Sequence, residues 1–245
     1  MKGLFFDNPH TIRSLASTVA LVVAIFPLGL FAQDTRKEEA VIPGFADSDV
    51  TGSLPAFTTE LSKRAANAIS KRDWKTARKL YLKMLGSEPK NPLTLSNLGA
   101  VEYQMGKISE AREHLEGAVR QRPKLAATWL TLGLIYYQEK KLHLALAAMS
   151  HAVHERPKDP RARNYFGVIV KALGWADAAE SELQKSIELN PNYAEAHFNL
   201  AVMYLERRPP ALALARRHYD KSQALGAAPD KLVERQLKEE EEEAK

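Results

Sequence analysis

The sequence contains no cysteine. This absence excludes a disulfide framework, a zinc site with thiolate ligands, a thiol nucleophile and an N-terminal lipid attached to cysteine. The chain also lacks a phosphate-binding glycine loop, a GxSxG nucleophile elbow and an HExxH metal pair. We therefore expect a protein that is not an enzyme.

A histidine cluster is the nearest approach to a metal site. His151 and His154 are three residues apart on one predicted helix, and His143 lies a turn or two away. No carboxylate or cysteine completes a ligand set of the kind that zinc prefers. We predict no metal site and no cofactor, and a metal-dependent enzyme of the cell envelope stays open only as an alternative.

One long apolar run occurs near the N-terminus. It extends from Leu15 to Ala32 and follows the basic residues Lys2 and Arg13. This pattern is typical of an export signal, and a run of about 18 residues is also long enough for one membrane-spanning anchor. Residues 1–33 are therefore predicted to be a signal peptide or a membrane anchor. The protein would then lie in the periplasm or on the periplasmic face of the inner membrane.

The charge of the chain is moderately basic, with a formal net value of +5. The acidic block 239–243 leaves the rest of the chain more basic than this total. A basic body suggests nucleic acid, but an exported chain rarely meets any. Acidic envelope partners or anionic lipid surfaces fit better, and a nucleic-acid-binding helical repeat is kept as an alternative.

Internal repetition is the strongest feature of the sequence. Prolines, alanines and a third set of small residues each recur every 34 residues. The three series are Pro89, Pro123, Pro157, Pro191; Ala77, Ala111, Ala145, Ala179; and Gly99, Gly133, Gly167 followed by Ala201. A shared period of this length predicts a stack of similar supersecondary units.

Each unit has the pattern of a helical hairpin. In one unit, apolar and small residues fall at i, i+3, i+4 and i+7 in two successive stretches, which places each set on one helix face. The two sets are Trp129, Leu132, Gly133, Tyr136 and Ala145, Ala148, Met149, Ala152. Gly106 and Gly174 lie in the turns of neighbouring units, where a residue with positive φ can end the first helix. The small residues predict a close approach of the two helix backbones.

These residues resemble the tetratricopeptide repeat (TPR) family, whose motif contains Trp, Leu, Gly, Tyr, Ala, Ala and Pro at such places. The resemblance implies an all-α, right-handed superhelical solenoid of helix-turn-helix repeats. Two departures are notable: Glu102 stands in the Tyr place, and Pro209 with Pro210 lengthens the fifth turn. The predicted segments are a linker at 34–57, five repeats at 58–91, 92–125, 126–159, 160–193 and 194–229, and a capping helix with an acidic tail at 230–245.

The resemblance also implies where a partner binds. In this family the first helix of each pair lines a concave groove that holds a peptide or helix of another protein. The residues at the groove places are Leu93, Ser96, Asn97, Tyr103, Gln104, Leu130, Thr131, Leu134, Tyr137, Gln138, Asn164, Tyr165, Phe198 and Asn199. Only Asn97 matches the residues with which some members clamp the C-terminal carboxylate of heat-shock chaperones. A chaperone-tail clamp is therefore disfavoured.

We predict a protein-protein interaction scaffold of the cell envelope. A membrane-anchored assembly factor remains an alternative form of the same role. Basic residues at the repeat junctions predict a ridge that steers an acidic partner. The ridge consists of Arg120, Arg122, Lys124, Arg156, Lys158, Arg161 and Arg163.

Overall fold

The computed structural model describes residues 56–243. Within that range the chain forms eleven α-helices and no strand, which confirms the predicted all-α class. The predicted export segment at 1–33, nearly all of the predicted linker and the last two residues lie outside the described residues. The helices are α1 Ala56–Ser70, α2 Trp74–Ser87, α3 Pro92–Gln104, α4 Ile108–Gln121, α5 Ala126–Gln138, α6 Leu142–Glu155, α7 Pro160–Ala172, α8 Ala176–Leu189, α9 Ala194–Leu205, α10 Leu212–Ala224 and α11 Lys231–Glu243.

The helices pack as five consecutive pairs followed by one single helix. Each helix contacts the next along the chain, and the contacts within a pair are more extensive than those between pairs. First helices of neighbouring pairs also contact one another, α3 with α5, α5 with α7 and α7 with α9. The result is the repeat solenoid that the 34-residue period predicts. None of the described helices is long and apolar enough to cross a membrane.

Two of the first helices begin with a capping residue followed by proline. The Asn91 side chain accepts hydrogen bonds from the backbone N–H groups of Leu93 and Thr94, and Pro92 is the first helical residue. Asp159 and Pro160 repeat this arrangement two repeats later, at the start of α7. A proline at this position loses no helical hydrogen bond, because the first N–H groups of a helix have no partner within it.

The turn inside four of the pairs contains one residue in the left-handed region. Gly106 and Gly174 have φ of 73° and 85°, as the sequence predicted. Arg72 and Lys140 stand at the same place in the first and third pairs and have φ of 56° and 61°. The repeat geometry therefore imposes this conformation even where the side chain disfavours it.

The small residues lie at the crossing of the paired helices. A Cβ added to Gly99 would lie 2.6 Å from Leu115 Cγ and 3.0 Å from the backbone oxygen of Ala111. At Gly133 the nearest atom would be the Cε of Met149, at 2.7 Å. Close backbone approach thus explains the small-residue series, as predicted.

The C-terminal end of the stack is covered by α11. The Asp230 side chain accepts hydrogen bonds from the N–H groups of Leu232 and Val233 and so begins the helix. Val233 and Leu237 are buried, and α11 contacts both α9 and α10. This agrees with the predicted capping helix.

Candidate functional site

The first helices form the inner face of the stack. They contact their counterparts in the neighbouring pairs directly, and the inside of a curved stack is where equivalent elements lie closest together. Their side chains that point away from the second helices therefore line the inner groove. Nine of the predicted partner-binding residues keep part of their surface accessible: Leu93, Asn97, Tyr103, Gln104, Leu134, Tyr137, Gln138, Tyr165 and Asn199.

Five of the predicted contact residues are buried, Ser96 among them, and the prediction is corrected for all five. Leu130, Thr131, Asn164 and Phe198 retain 3%, 1%, 0% and 4% of their exposed area. Leu130 packs among buried residues of α6 and α7, and the Thr131 hydroxyl donates to the carbonyl of Ala127. A partner cannot reach these side chains while the repeats are packed.

One cause of the error is the packing between neighbouring first helices. Ser96 is also buried, and its hydroxyl lies 2.7 Å from the hydroxyl of Thr128 on the next first helix. Asn164 likewise accepts a hydrogen bond of 2.8 Å from the Asn199 side chain of α9. The fifth positions of α3 and α7 therefore lie in the contact between repeats, and they are not available to a partner.

Tyrosines dominate the accessible part of the groove. Burial raises the pKa of the Tyr165 phenol, and Glu195 and Tyr103 raise it further. Tyr165 shares a hydrogen bond with the hydroxyl of Tyr193, a groove residue that the sequence prediction omitted. Side chains of the second, fourth and fifth repeats thus influence one another across the inner face.

Two ion pairs flank these tyrosines. Arg161 contacts Asp159 through Nε at 3.1 Å and Nη2 at 2.9 Å. The Lys171 ammonium lies 2.7 Å from the Glu206 carboxylate, and Glu206 adds to the effect of burial in raising the pKa of Tyr137. Lys171 was not among the predicted partner-binding residues. The repeat period could have identified it, because Lys171 occupies the same place in its repeat as Tyr137.

The predicted basic ridge is partly neutralised by its own neighbours. Arg161 is paired with Asp159 as described, and Arg163 lies 2.7 Å from Glu182. Lys124 and Lys158 are exposed. The predicted ridge therefore keeps exposed positive charge at Lys124 and Lys158, whereas Arg161 and Arg163 are neutralised by neighbouring carboxylates.

The histidines considered as metal ligands do not converge. The His151 ring stacks on Trp129, with centroids 4.5 Å apart. Among residues 56–243, no group of three or more His, Asp or Glu side chains could hold a metal ion.

Comparison with known proteins places the repeats in a family. Three tetratricopeptide repeat family models match residues 96–160, 162–193 and 182–224. No curated protein matches the sequence. The matching family models describe repeats rather than enzymes.

Several solved structures share the fold. A MamA fragment (41-end) from Desulfovibrio magneticus RS-1 superimposes with a TM-score of 0.61 at 18% identity, covering 71% of this chain and 97% of the fragment. YrrB, described as a TPR protein with an unusual peptide-binding site, gives 0.59 at 23% identity over 75% of this chain and 98% of its own. A further MamA crystal structure gives 0.57 at 22% identity, over 66% of this chain and 93% of its own. With the repeat period, the helix pairs and the family matches in agreement, this chain belongs to the tetratricopeptide repeat family.

Proposed function

We propose that this protein is a scaffold that binds a segment of a partner protein in its inner groove. The observation that carries the proposal is the set of partly accessible tyrosines in the second, third and fourth repeats, namely Tyr103, Tyr137, Tyr165 and Tyr193. Tyrosine supplies a large apolar surface and one directional hydrogen bond, and it is enriched among residues that dominate binding energy. The peptide-binding site named for YrrB supports the same class of role.

The chemistry of the groove favours a partner segment that is apolar with polar groups at intervals. Leu93 and Leu134 add apolar surface between the tyrosines, and Asn97 and Gln104 offer amide groups. The charged groups Arg161 and Lys171 already have carboxylate partners. A highly charged ligand would have to compete with these pairs, so an amphipathic helix or extended peptide is the better match.

We further propose a location in the cell envelope. The basis is the apolar run 15–32 after two basic residues, which acts as a cleaved signal or as a retained anchor. Mass measurement of the mature N-terminus distinguishes these two forms. A protein found unprocessed and away from the membrane would contradict both.

The groove is tested by peptide selection followed by substitution. Peptides are selected from a displayed library on the purified full-length protein, and binding is then measured for Tyr137→Ala and for a control, Trp175→Ala. Trp175 is an exposed aromatic residue in the turn before α8, away from the groove. We expect Tyr137→Ala to weaken binding by about 1 kcal/mol or more and Trp175→Ala to leave it unchanged. Retained binding in alanine variants of all four groove tyrosines would remove the groove from consideration.

A further inference from the structure

One side chain in each of the last three repeats forms the same hydrogen bond. Trp129 Nε1 donates to the carbonyl oxygen of Pro123 at 2.6 Å, and Arg163 Nε donates to that of Pro157 at 3.2 Å. In the fifth repeat, Nε2 of His197 lies 3.1 Å from the carbonyl oxygen of Pro191. Each donor is six residues after the recurring proline. Of the three donors, His197 alone titrates near neutral pH.

This bond fixes where the protons lie on a histidine pair. A carbonyl oxygen only accepts, so the Nε2 atom of His197 must carry the proton. The Nδ1 atom of the neutral ring is then an acceptor, and it lies 3.0 Å from Nδ1 of His218 on α10. His218 must therefore donate from Nδ1. One arrangement of protons satisfies both hydrogen bonds.

The histidine pair is largely shielded from water, and positively charged side chains lie near it. His197 is 6% exposed, and the two rings lie 5.2 Å apart with a tilt of 30°. The ring of Tyr204 lies 5.7 Å from that of His218, and the Tyr204 hydroxyl donates to Glu180 of α8, which also pairs with Arg207. Glu234 of α11 contacts the neighbouring Tyr219. The charged groups that face the pair from α10 are Arg217 and Lys221.

A proton has different effects on the two rings. His218 can accept one at Nε2 and still donate from Nδ1, so the hydrogen bond survives. His197 can accept one only at Nδ1, where it replaces the acceptor with a second donor that faces the N–H of His218. The bond is then lost, and a positive charge is added beside Arg217 and Lys221.

We propose that His197 and His218 form an acid-sensitive latch that holds α9 against α10 at neutral pH and loosens the fifth repeat in acid. His197 is next to Phe198, which is buried against Tyr219 of α10 with ring centroids 6.4 Å apart. It is also two residues before Asn199, which bonds to Asn164 in the preceding repeat. Opening of the latch therefore disturbs the last repeat and its contact with the fourth.

The direction of the pH effect follows from the pKa of each ring. Burial lowers the pKa of both histidines, and Lys221 and Arg217 add to this for His197. Above the ordinary histidine pKa of about 6.5, the stabilisation is complete. As the pH falls below that value, the histidines of the unfolded chain bind protons that the folded pair does not yet bind. The free energy of unfolding therefore falls until the pH is below the lowered pKa of the folded state.

The test uses the His197→Trp variant, since Trp129 holds the same place in the third repeat and donates the same bond without titrating. Hydrogen exchange is followed by mass spectrometry on the full-length protein at pH 8 and pH 5, corrected for intrinsic rates. We expect exchange in α9 and α10 of the native protein to rise several-fold in acid, because the folded pair binds fewer protons than the unfolded chain does. Exchange in α5 and α6 serves as the internal reference. The His197→Trp variant should show a clearly smaller rise, because only His218 is left to take up a proton.

A second measurement needs no variant. Long-range proton-nitrogen NMR spectra at pH 8 report which ring nitrogen is protonated, and we expect Nε2–H for His197 and Nδ1–H for His218. The same tautomer on both rings, or equal protection of α9 and α10 at the two pH values, would overturn the latch. Any loss of peptide binding in acid rests in addition on the proposed groove. If peptide binding did not weaken in acid, the connection between latch and groove would be wrong. The exchange and NMR results test the latch alone.

Discussion

The guanidinium Nε of Arg78 in the first repeat donates to Oε1 of Glu102 in the second repeat at 2.9 Å. Glu102 is fully buried, and its other carboxylate oxygen lies 2.6 Å from Nδ1 of His114 on α4. The carboxylate occupies the place that Tyr136 has in the third repeat. A buried charge is tolerated only when it is paired and hydrogen-bonded, so this group of three side chains depends on all of its members.

Removal of the carboxylate should destabilise the first two repeats. We expect Glu102→Ala to lower the free energy of unfolding by about 3 kcal/mol, because Arg78 and His114 lose their common partner. Chemical denaturation gives this difference. The control is Glu110→Ala, which removes an exposed pair with Lys107 and should change stability far less, because exposed ion pairs contribute little. Equal losses in the two variants would contradict the assigned role of Glu102.

His114 should make stability depend on pH in the opposite direction to the latch. The hydrogen bond with Glu102 is the largest cause that raises the pKa of His114. Its stabilising effect is therefore complete below the ordinary value of about 6.5 and is lost as the pH rises through the raised pKa. Denaturation of the native protein and of His114→Gln between pH 6 and pH 9 should show a difference that shrinks with rising pH. A constant difference would mean that protonation of His114 does not matter.

Lys140 is a position where glycine should stabilise the protein. Its φ of 61° is costly for a residue with a Cβ, and Gly106 and Gly174 fill the same place in other repeats. We expect Lys140→Gly to raise the free energy of unfolding by about 1 kcal/mol. Lys141→Gly is the matched control, because Lys141 has an ordinary φ of -87°. Stabilisation by both changes, or by neither, would argue against backbone strain at Lys140.

The helix crossings should differ in their tolerance of added carbon atoms. Gly99→Ala would place its Cβ against the branched Cγ of Leu115 and the backbone oxygen of Ala111. In contrast, Gly133→Ala meets the flexible end of Met149. We expect Gly99→Ala to be the more destabilising of the two, and Gly133→Leu to cost about 1 to 3 kcal/mol. Thermal melts of the three variants test the order, and an unchanged melt for Gly133→Leu would exclude close packing at that crossing.

The repeat and its 34-residue register could be predicted from the sequence alone. Small residues such as Gly133 and Ala145 recur at one interval, and only paired helices in close approach require that pattern. Local geometry also predicted the positive φ of Gly106 and Gly174, because the turn that ends a helix needs that conformation. Asp230 was recognisable as a cap for the same reason: a helix start leaves N–H groups that a short polar side chain can satisfy.

Tertiary structure decided which residues of the inner face are open. The periodicity assigns Leu130, Asn164 and Phe198 to the first helices, but it does not give the packing of these helices against their neighbours, and that packing buries all three side chains. It also brings together Arg78 and Glu102 of neighbouring repeats, a pair that no local pattern connects. Sequence spacing fixes contacts within a helix pair, because 3.6 residues per turn set which side chains share a face. Contacts between pairs depend on how whole surfaces pack, and only the folded chain determines that.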